Sequence, residues 1–188
     1  KIGYIYISIF ASNTYEQFKS KLEELEKANI DSLIIDVRYN SGGHLTTATK
    51  IISLFLSSDK VIYQIEDSSG TQKHYSQGTI TKEYPIVVLV NGNSASASEI
   101  LASALKEQYN AILVGKKTYG KGTVQELLKT KNGIQYKITT QHWLTSKGNW
   151  IDKQGIDVDY DVELTDKYLS NTIDENDSQL NKAIEILK

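Results

Sequence analysis

Three short segments, "SLIIDVRY" (32–39), "PIVVLV" (85–90) and "AILVG" (111–115), read as strands, and the first is a nearly continuous apolar run. A strand with one wet face alternates apolar and polar residues, so a continuous apolar run implies a strand covered on both sides. Between these runs the pattern changes to helical. Residues 12–29 place Tyr15, Phe18, Leu22 and Leu25 at helical spacing with Lys and Glu opposite, and residues 45–56 resume a helical pattern. A third helix is expected from the serine cluster to about Gln108, and a fourth over 174–188 with Leu180, Ala183, Ile184 and Leu187 on one face. "IGYIYISIF" (2–10) and "GIQYKITTQHWLT" (133–145) alternate as half-buried strands do, and residues 60–66 and 72–76 around "DSSG" read as a hairpin. Strands interleaved with helices predict an α/β fold, a sheet covered by helices, with ligands bound where strand ends meet helix starts.

Composition narrows the function classes. The 188 residues suit one domain, and 39% hydrophobic with 23% charged residues is ordinary globular usage. A formal net charge of −2 offers no basic field for a phosphate backbone, so no nucleic-acid partner is expected. Cysteine is absent, which removes thiolate nucleophiles, zinc–thiolate sites and disulfides together. No apolar run approaches the roughly 20 residues of a membrane span. The first residue is Lys1, followed directly by a strand pattern, which suggests an excised domain.

Three irregular loops follow the apolar runs. In "YNSGGH" (39–44) the Gly42-Gly43 pair permits positive φ and exposed N–H groups; taken alone it is a tight strand-to-helix turn. In "NGNSASASEI" (91–100) three serines precede a helix, and serines there are most often caps. In "TYGKGTVQ" (118–125) Lys121 stands between glycines, although loop lysines are usually just solvated. A lysine acts as a base near neutrality only if burial lowers its pKa from about 10.4. Of the histidines, His74 lies in the polar hairpin and His142 in an alternating strand, where it reads as a half-buried packing residue. Nothing in the loop contexts brings His44 or His142 to a serine, as a Ser-His-Asp arrangement would require. A Ser-Lys pair with glycine N–H donors uses all three loops at once.

"GYIYISIF", "LIIDVRYNSGG", "PIVVLVNGNSASASEILASAL", "ILVGKKTYGKGTVQ" and "DSQLNKAIEIL", in this order, resemble the protease core of the carboxyl-terminal processing peptidases. The resemblance implies a ClpP/crotonase-like core of repeated strand-strand-helix units, with a mixed sheet covered by helices, and a single serine-protease core domain over residues 1–188. It implies Ser96 as nucleophile, Lys121 as base and Gln125 as the residue orienting the lysine. The oxyanion donors would be the backbone N–H of Ala97 and of the Gly42-Gly43 pair, with Gly43 preferred. Ser94 and Ser98 are left to brace the turn and to satisfy local backbone groups, and Glu99 to favour the helix N-terminus.

The implied activity is cleavage of protein or peptide substrates at or near the C-terminus through an acyl-enzyme, without metal or cofactor. The same resemblance implies an extracytoplasmic setting, reached through a signal or anchor outside this chain, a regulatory PDZ domain elsewhere in the full-length protein, and homodimers. The chain departs from the family where Val158 and Ser146 replace common prolines, which bears on loop rigidity. Two alternatives stay open: a non-catalytic ligand-binding or scaffold domain of the same fold, and an acyl-CoA enzyme of the crotonase type, which would more naturally use a carboxylate as acid or base.

Overall fold

A computed structural model of the chain describes residues 1–129 and 135–188, with side chains outside 125–138. Among the described residues the apolar runs form the centre of a parallel sheet. Its order is β1 (Ile2–Tyr6), β2 (Ser32–Asp36), β5 (Ile86–Val90), β6 (Ile112–Gly115) and β9 (Tyr160–Asp161), every neighbouring pair parallel. A second sheet is antiparallel, in the order β4 (Gly70–Tyr75), β3 (Val61–Asp67), β8 (Gln135–Leu144) and β7 (Thr123–Lys129). The expected α/β class holds, with the parallel and antiparallel pairings in two sheets. Hairpin connections can build only the antiparallel one, whereas each parallel pair needs a crossover.

The crossovers explain the continuous apolar runs. α1 (Thr14–Lys27) joins β1 to β2, α2 (Leu45–Ile52) follows β2 and α3 (Ala97–Ala104) follows β5. A single-turn α4 (Asp166–Ser170) comes after β9 and buries no residue. Phe18 and Leu22 of α1, Ile51 and Ile52 of α2, and Ile100 and Leu101 of α3 pack on one sheet face with Leu33, Ile35, Val88 and Val90. The alternate residues Ile34, Val87, Leu89 and Val114 face the other way, where α5 (Ser178–Ile186) covers them through Leu180, Ala183 and Ile184. Each fully buried Leu, Ile or Val contributes about 1.5–3 kcal/mol, so neither face tolerates a polar substitution in β2 or β5.

Helix ends differ slightly from the periodicity. α2 stops at Ile52, short of Leu56, although Phe55 and Leu56 remain fully buried in the turns that follow. α3 runs into a π-helical turn, Leu105–Tyr109, closed by left-handed Asn110. The C-terminal pattern splits into a short 3₁₀ turn, Asp174–Asn176, and α5, with Asp177 between them accepting hydrogen bonds from the N–H groups of Gln179 and Leu180.

One buried ionic cluster ties α5 to the sheet. Arg38 donates to Asp36 through Nε and Nη2, to Asp177 Oδ1 through Nη1 at 3.1 Å and to Gln179 Oε1 at 3.0 Å. Its Nη2 also lies 2.8 Å from Asp177 Oδ2. Burial works against the guanidinium charge, but the hydrogen bonds and charges of Asp36 and Asp177 outweigh it and hold the group above its ordinary range. The Tyr4 hydroxyl donates to Asp36 Oδ2 at 2.8 Å; burial and the neighbouring carboxylate raise its pKa.

Because the cluster is buried, removing one partner strands the others. Asp177→Ala removes the α5 cap and a partner of Arg38, and is expected to cost about 3–5 kcal/mol, read as a lowered midpoint in urea unfolding followed by circular dichroism.

Candidate active site

Parallel strands all point the same way, so the segments leaving β2, β5 and β6 emerge side by side at the carboxyl end of the sheet. Those segments are the glycine, serine and lysine loops. Their meeting follows from sheet order, which no local sequence pattern reveals.

The serine loop turns sharply into α3. Ser96 has φ 54° and ψ −115°, a sparsely populated conformation for a residue with a β-carbon. Its neighbours are structural. Ser94 Oγ donates to Val37 O at 2.8 Å and accepts from Asn91 N–H at 3.0 Å, bracing the turn as expected. Ser98 Oγ donates to Asn40 O at 2.8 Å, so it bonds across the molecule to the glycine loop and not to local backbone. Ser96 is the partly accessible member of the three.

Asn40 holds the glycine loop against the serine loop. Fully buried, it donates from Nδ2 to Ile7 O at 2.8 Å, accepts the Gly42 N–H on Oδ1 at 2.9 Å, and accepts Ala95 N–H on its own carbonyl at 3.1 Å. A β-carbon on Gly42 would stand 3.0 Å from Ser96 Cβ, which places this loop directly beside Ser96. Gly43 has φ 137°, and a β-carbon there would come within 2.4 Å of Phe10 O. The Gly42 carbonyl and the His44 N–H bond Phe10 on either side of it. Among the described residues neither the Gly43 N–H nor the Ala97 N–H is committed to a hydrogen bond.

The lysine loop is held by Glu99, which is fully buried. Its Oε1 accepts from Thr118 Oγ1 and Gly120 N–H, both at 2.6 Å; its Oε2 accepts from Ser96 N–H and Lys121 N–H, both at 2.9 Å. Four donors around two oxygens suit an ionised carboxylate, and its place in the first turn of α3 adds the favourable field of the helix N-terminus. Glu99 is therefore more than the helix-end charge expected from its position: one carboxylate joins the main chain of Ser96 to that of Lys121. From the other side the turn 151–155 closes on the loop, with Lys153 N–H donating to Gly120 O at 2.8 Å. Gly122 is required there, since a β-carbon would lie 2.3 Å from Asp152 N.

Lys121 is exposed. It opens, with Tyr39, Ala95, Tyr119, Asp152 and Lys153, onto a cavity of about 650 Å³. Gln125 lies on β7 opposite Thr139 of β8, and its side chain falls outside the described ones. The histidines stand apart from this arrangement. His74 stacks on Tyr63 at 4.5 Å, His142 packs against Trp150 at 4.6 Å, and His44 sits exposed at the start of α2.

The fold and site define an α/β protein whose strand-end loops gather a strained serine, a lysine and a glycine turn at one end of a parallel sheet. The model of Peptidase family S41 matches residues 1–162, and the chain belongs to that family. It is 46% identical over 157 residues to the carboxy-terminal processing protease CtpB of Bacillus subtilis (strain 168), covering 83% of this chain and 33% of that protein. It is 39% identical over 163 residues to the carboxyl-terminal-processing protease of Synechocystis sp. (strain ATCC 27184 / PCC 6803 / Kazusa), covering 86% of this chain and 38% of that one. The solved photosystem II D1 C-terminal processing protease superposes with a TM-score of 0.82 at 31% identity, covering 86% of this chain and 42% of that one. The chain thus spans well under half the length of these relatives.

Asn40 and Glu99 went unrecognised as parts of the site from sequence. Their only local signal is a polar residue set at the end of an apolar run or inside an apolar helix. Glu99→Gln preserves shape but turns an NH₂ toward N–H donors. It is expected to cost about 2–3 kcal/mol and to speed amide exchange at Gly120 and Lys121 more than at β5, measured by hydrogen exchange.

Proposed function

We propose that the chain is the catalytic core of a serine endopeptidase that cleaves protein substrates at or near their C-terminus by a Ser96–Lys121 dyad. The observation that carries this reading is the Glu99 carboxylate, which seats Ser96 and Lys121 on the same buried anchor. Backbone strain at Ser96 supports it, since residues held at such angles are concentrated at working sites.

In the proposed cycle the Lys121 amine takes the Ser96 Oγ proton as Oγ bonds to the substrate carbonyl carbon. The carbonyl oxygen becomes an oxyanion held by the N–H groups of Ala97 and Gly43. Gly43 is favoured over Gly42 because the Gly42 N–H already serves Asn40 Oδ1. The C–N bond then breaks, the leaving amine takes the proton from Lys121, and water attacking the acyl-enzyme with Lys121 again as base restores the free serine. A lysine base must be desolvated; Lys121 is exposed, so the bound substrate chain is required to close over it. Gln125, on β7, is assigned to orient the amine.

The family resemblance extends the proposal to an extracytoplasmic site of action, a regulatory PDZ domain in the full-length protein and homodimers. Among the described residues no helix is long and apolar enough to cross a membrane.

The test compares Ser96→Ala with Ser94→Ala and Ser98→Ala in a peptide-cleavage assay. Ser96→Ala is expected to lower kcat by at least about 10³-fold, whereas the other two lose stability yet retain measurable cleavage. Wild-type activity in Ser96→Ala would overturn the assignment.

A further inference from the structure

Among the described residues, five non-glycine residues have positive φ: Asn29, Tyr39, Ser96, Asn110 and Lys153. Asn29 and Asn110 end helical segments, where asparagine tolerates the left-handed conformation. The other three have no such excuse, and all belong to the candidate site. Tyr39 and Lys153 line the cavity beside Lys121, and Ser96 adjoins its Ala95 wall. Strain at residues with large side chains persists only where the surroundings hold it and is concentrated at working sites.

Lys153 is the one cation of this set, and the proposed cycle gives it no task. Glycine would suit its φ of 57°, yet the position carries a long cation. Its main chain is fixed: its N–H donates to Gly120 O at 2.8 Å, and Ile151 O accepts from the N–H groups of Gln154 and Gly155. The side chain, by contrast, is exposed, and none of the ion pairs among the described residues involves it. The cavity it enters is walled by the exposed rings of Tyr39 and Tyr119, and among the described residues its charged lining is Lys121 and Lys153 against the half-buried Asp152. That combination fits a peptide segment lying between aromatic walls with a negative group at the Lys153 end.

We infer that Lys153 is a specificity residue that reads a carboxylate on the substrate polypeptide within the cavity beside Lys121. The inference rests on the proposed peptidase reading and adds the chemical class of the substrate feature recognised. The carboxylate has two sources, the chain's own C-terminus or an acidic side chain, and both present the same group to an ammonium.

The experiment measures binding with the Ser96→Ala protein, so that it does not depend on turnover. Fluorescein-labelled, alanine-rich decapeptides are titrated at low salt by fluorescence polarisation in three forms: neutral with a C-terminal amide, the same with a free C-terminal carboxylate, and amidated with one internal Glu. One or both acidic forms are expected to bind about two- to five-fold more tightly than the neutral form, the span of an exposed ion pair, with the advantage falling as salt rises. Which acidic form gains identifies the source. Adding Lys153→Gly, which accepts the left-handed backbone and so preserves the fold, is expected to bring the ratio to one, and Lys153→Glu to invert it. An acid preference that survives Lys153→Gly, equal binding of all three peptides, or no binding at all overturns the inference. Cleavage of the same peptides by the protein with Ser96 intact tests the peptidase reading separately.

Discussion

The carboxylate of Glu99 is the interaction on which the site depends. A charge taken fully out of water is costly unless its hydrogen-bonding capacity is filled, and here four donors fill it, from Ser96, Thr118, Gly120 and Lys121. These donors come from two loops separated along the chain, so the charge cannot be satisfied unless the loops meet. Desolvation is thereby turned into positioning: either loop moving away would strand a buried charge. Thr118 extends the arrangement, its hydroxyl donating to Glu99 while accepting the Ile156 N–H at 2.7 Å, which brings in the turn behind the lysine loop.

Asn40 performs the corresponding task with a neutral amide. Its contacts join the end of β1, the glycine turn and the serine loop, so the Gly42-Gly43 backbone is held from both sides. With the Gly42 N–H committed to Asn40, the N–H groups of Gly43 and Ala97 in these two loops stay uncommitted among the described residues. Further out, the Arg38 cluster anchors the same strand end to α5. Polar contacts thus fix the loops at the ends of β2, β5 and β6, whereas apolar packing fixes the strands themselves. This division is expected where backbone must stay irregular yet rigid.

The strands and helices were largely legible because their physics is local. Period and composition place β2, β5 and β6 within a residue or two, and the nearly continuous apolar run in β2 correctly announces cover on both faces, with Ile34 and Ile35 buried against opposite layers. The separation into a parallel and an antiparallel sheet was not legible, because strand partners are chosen by tertiary packing. Nor was the reach of Ser98, whose hydroxyl satisfies Asn40, 58 positions away. Glu99 was read by its helical position alone, since a sequence carries no sign of burial at a polar residue three of whose four donors lie 19 to 22 residues further on.

The amino-acid sequence by itself determined an α/β chain with three irregular loops after three buried strands, and the order of its motifs pointed to one peptidase family. Those properties depend on residue type and spacing along the chain. Tertiary structure alone decided which loops become neighbours, which glycine N–H stays uncommitted, and that the left-handed residues Tyr39 and Lys153 line one cavity whose Ala95 wall adjoins Ser96. Backbone strain and buried charge are sustained largely by surroundings drawn from distant segments, so they come into being with the fold and are not spelled out by the residues next to them.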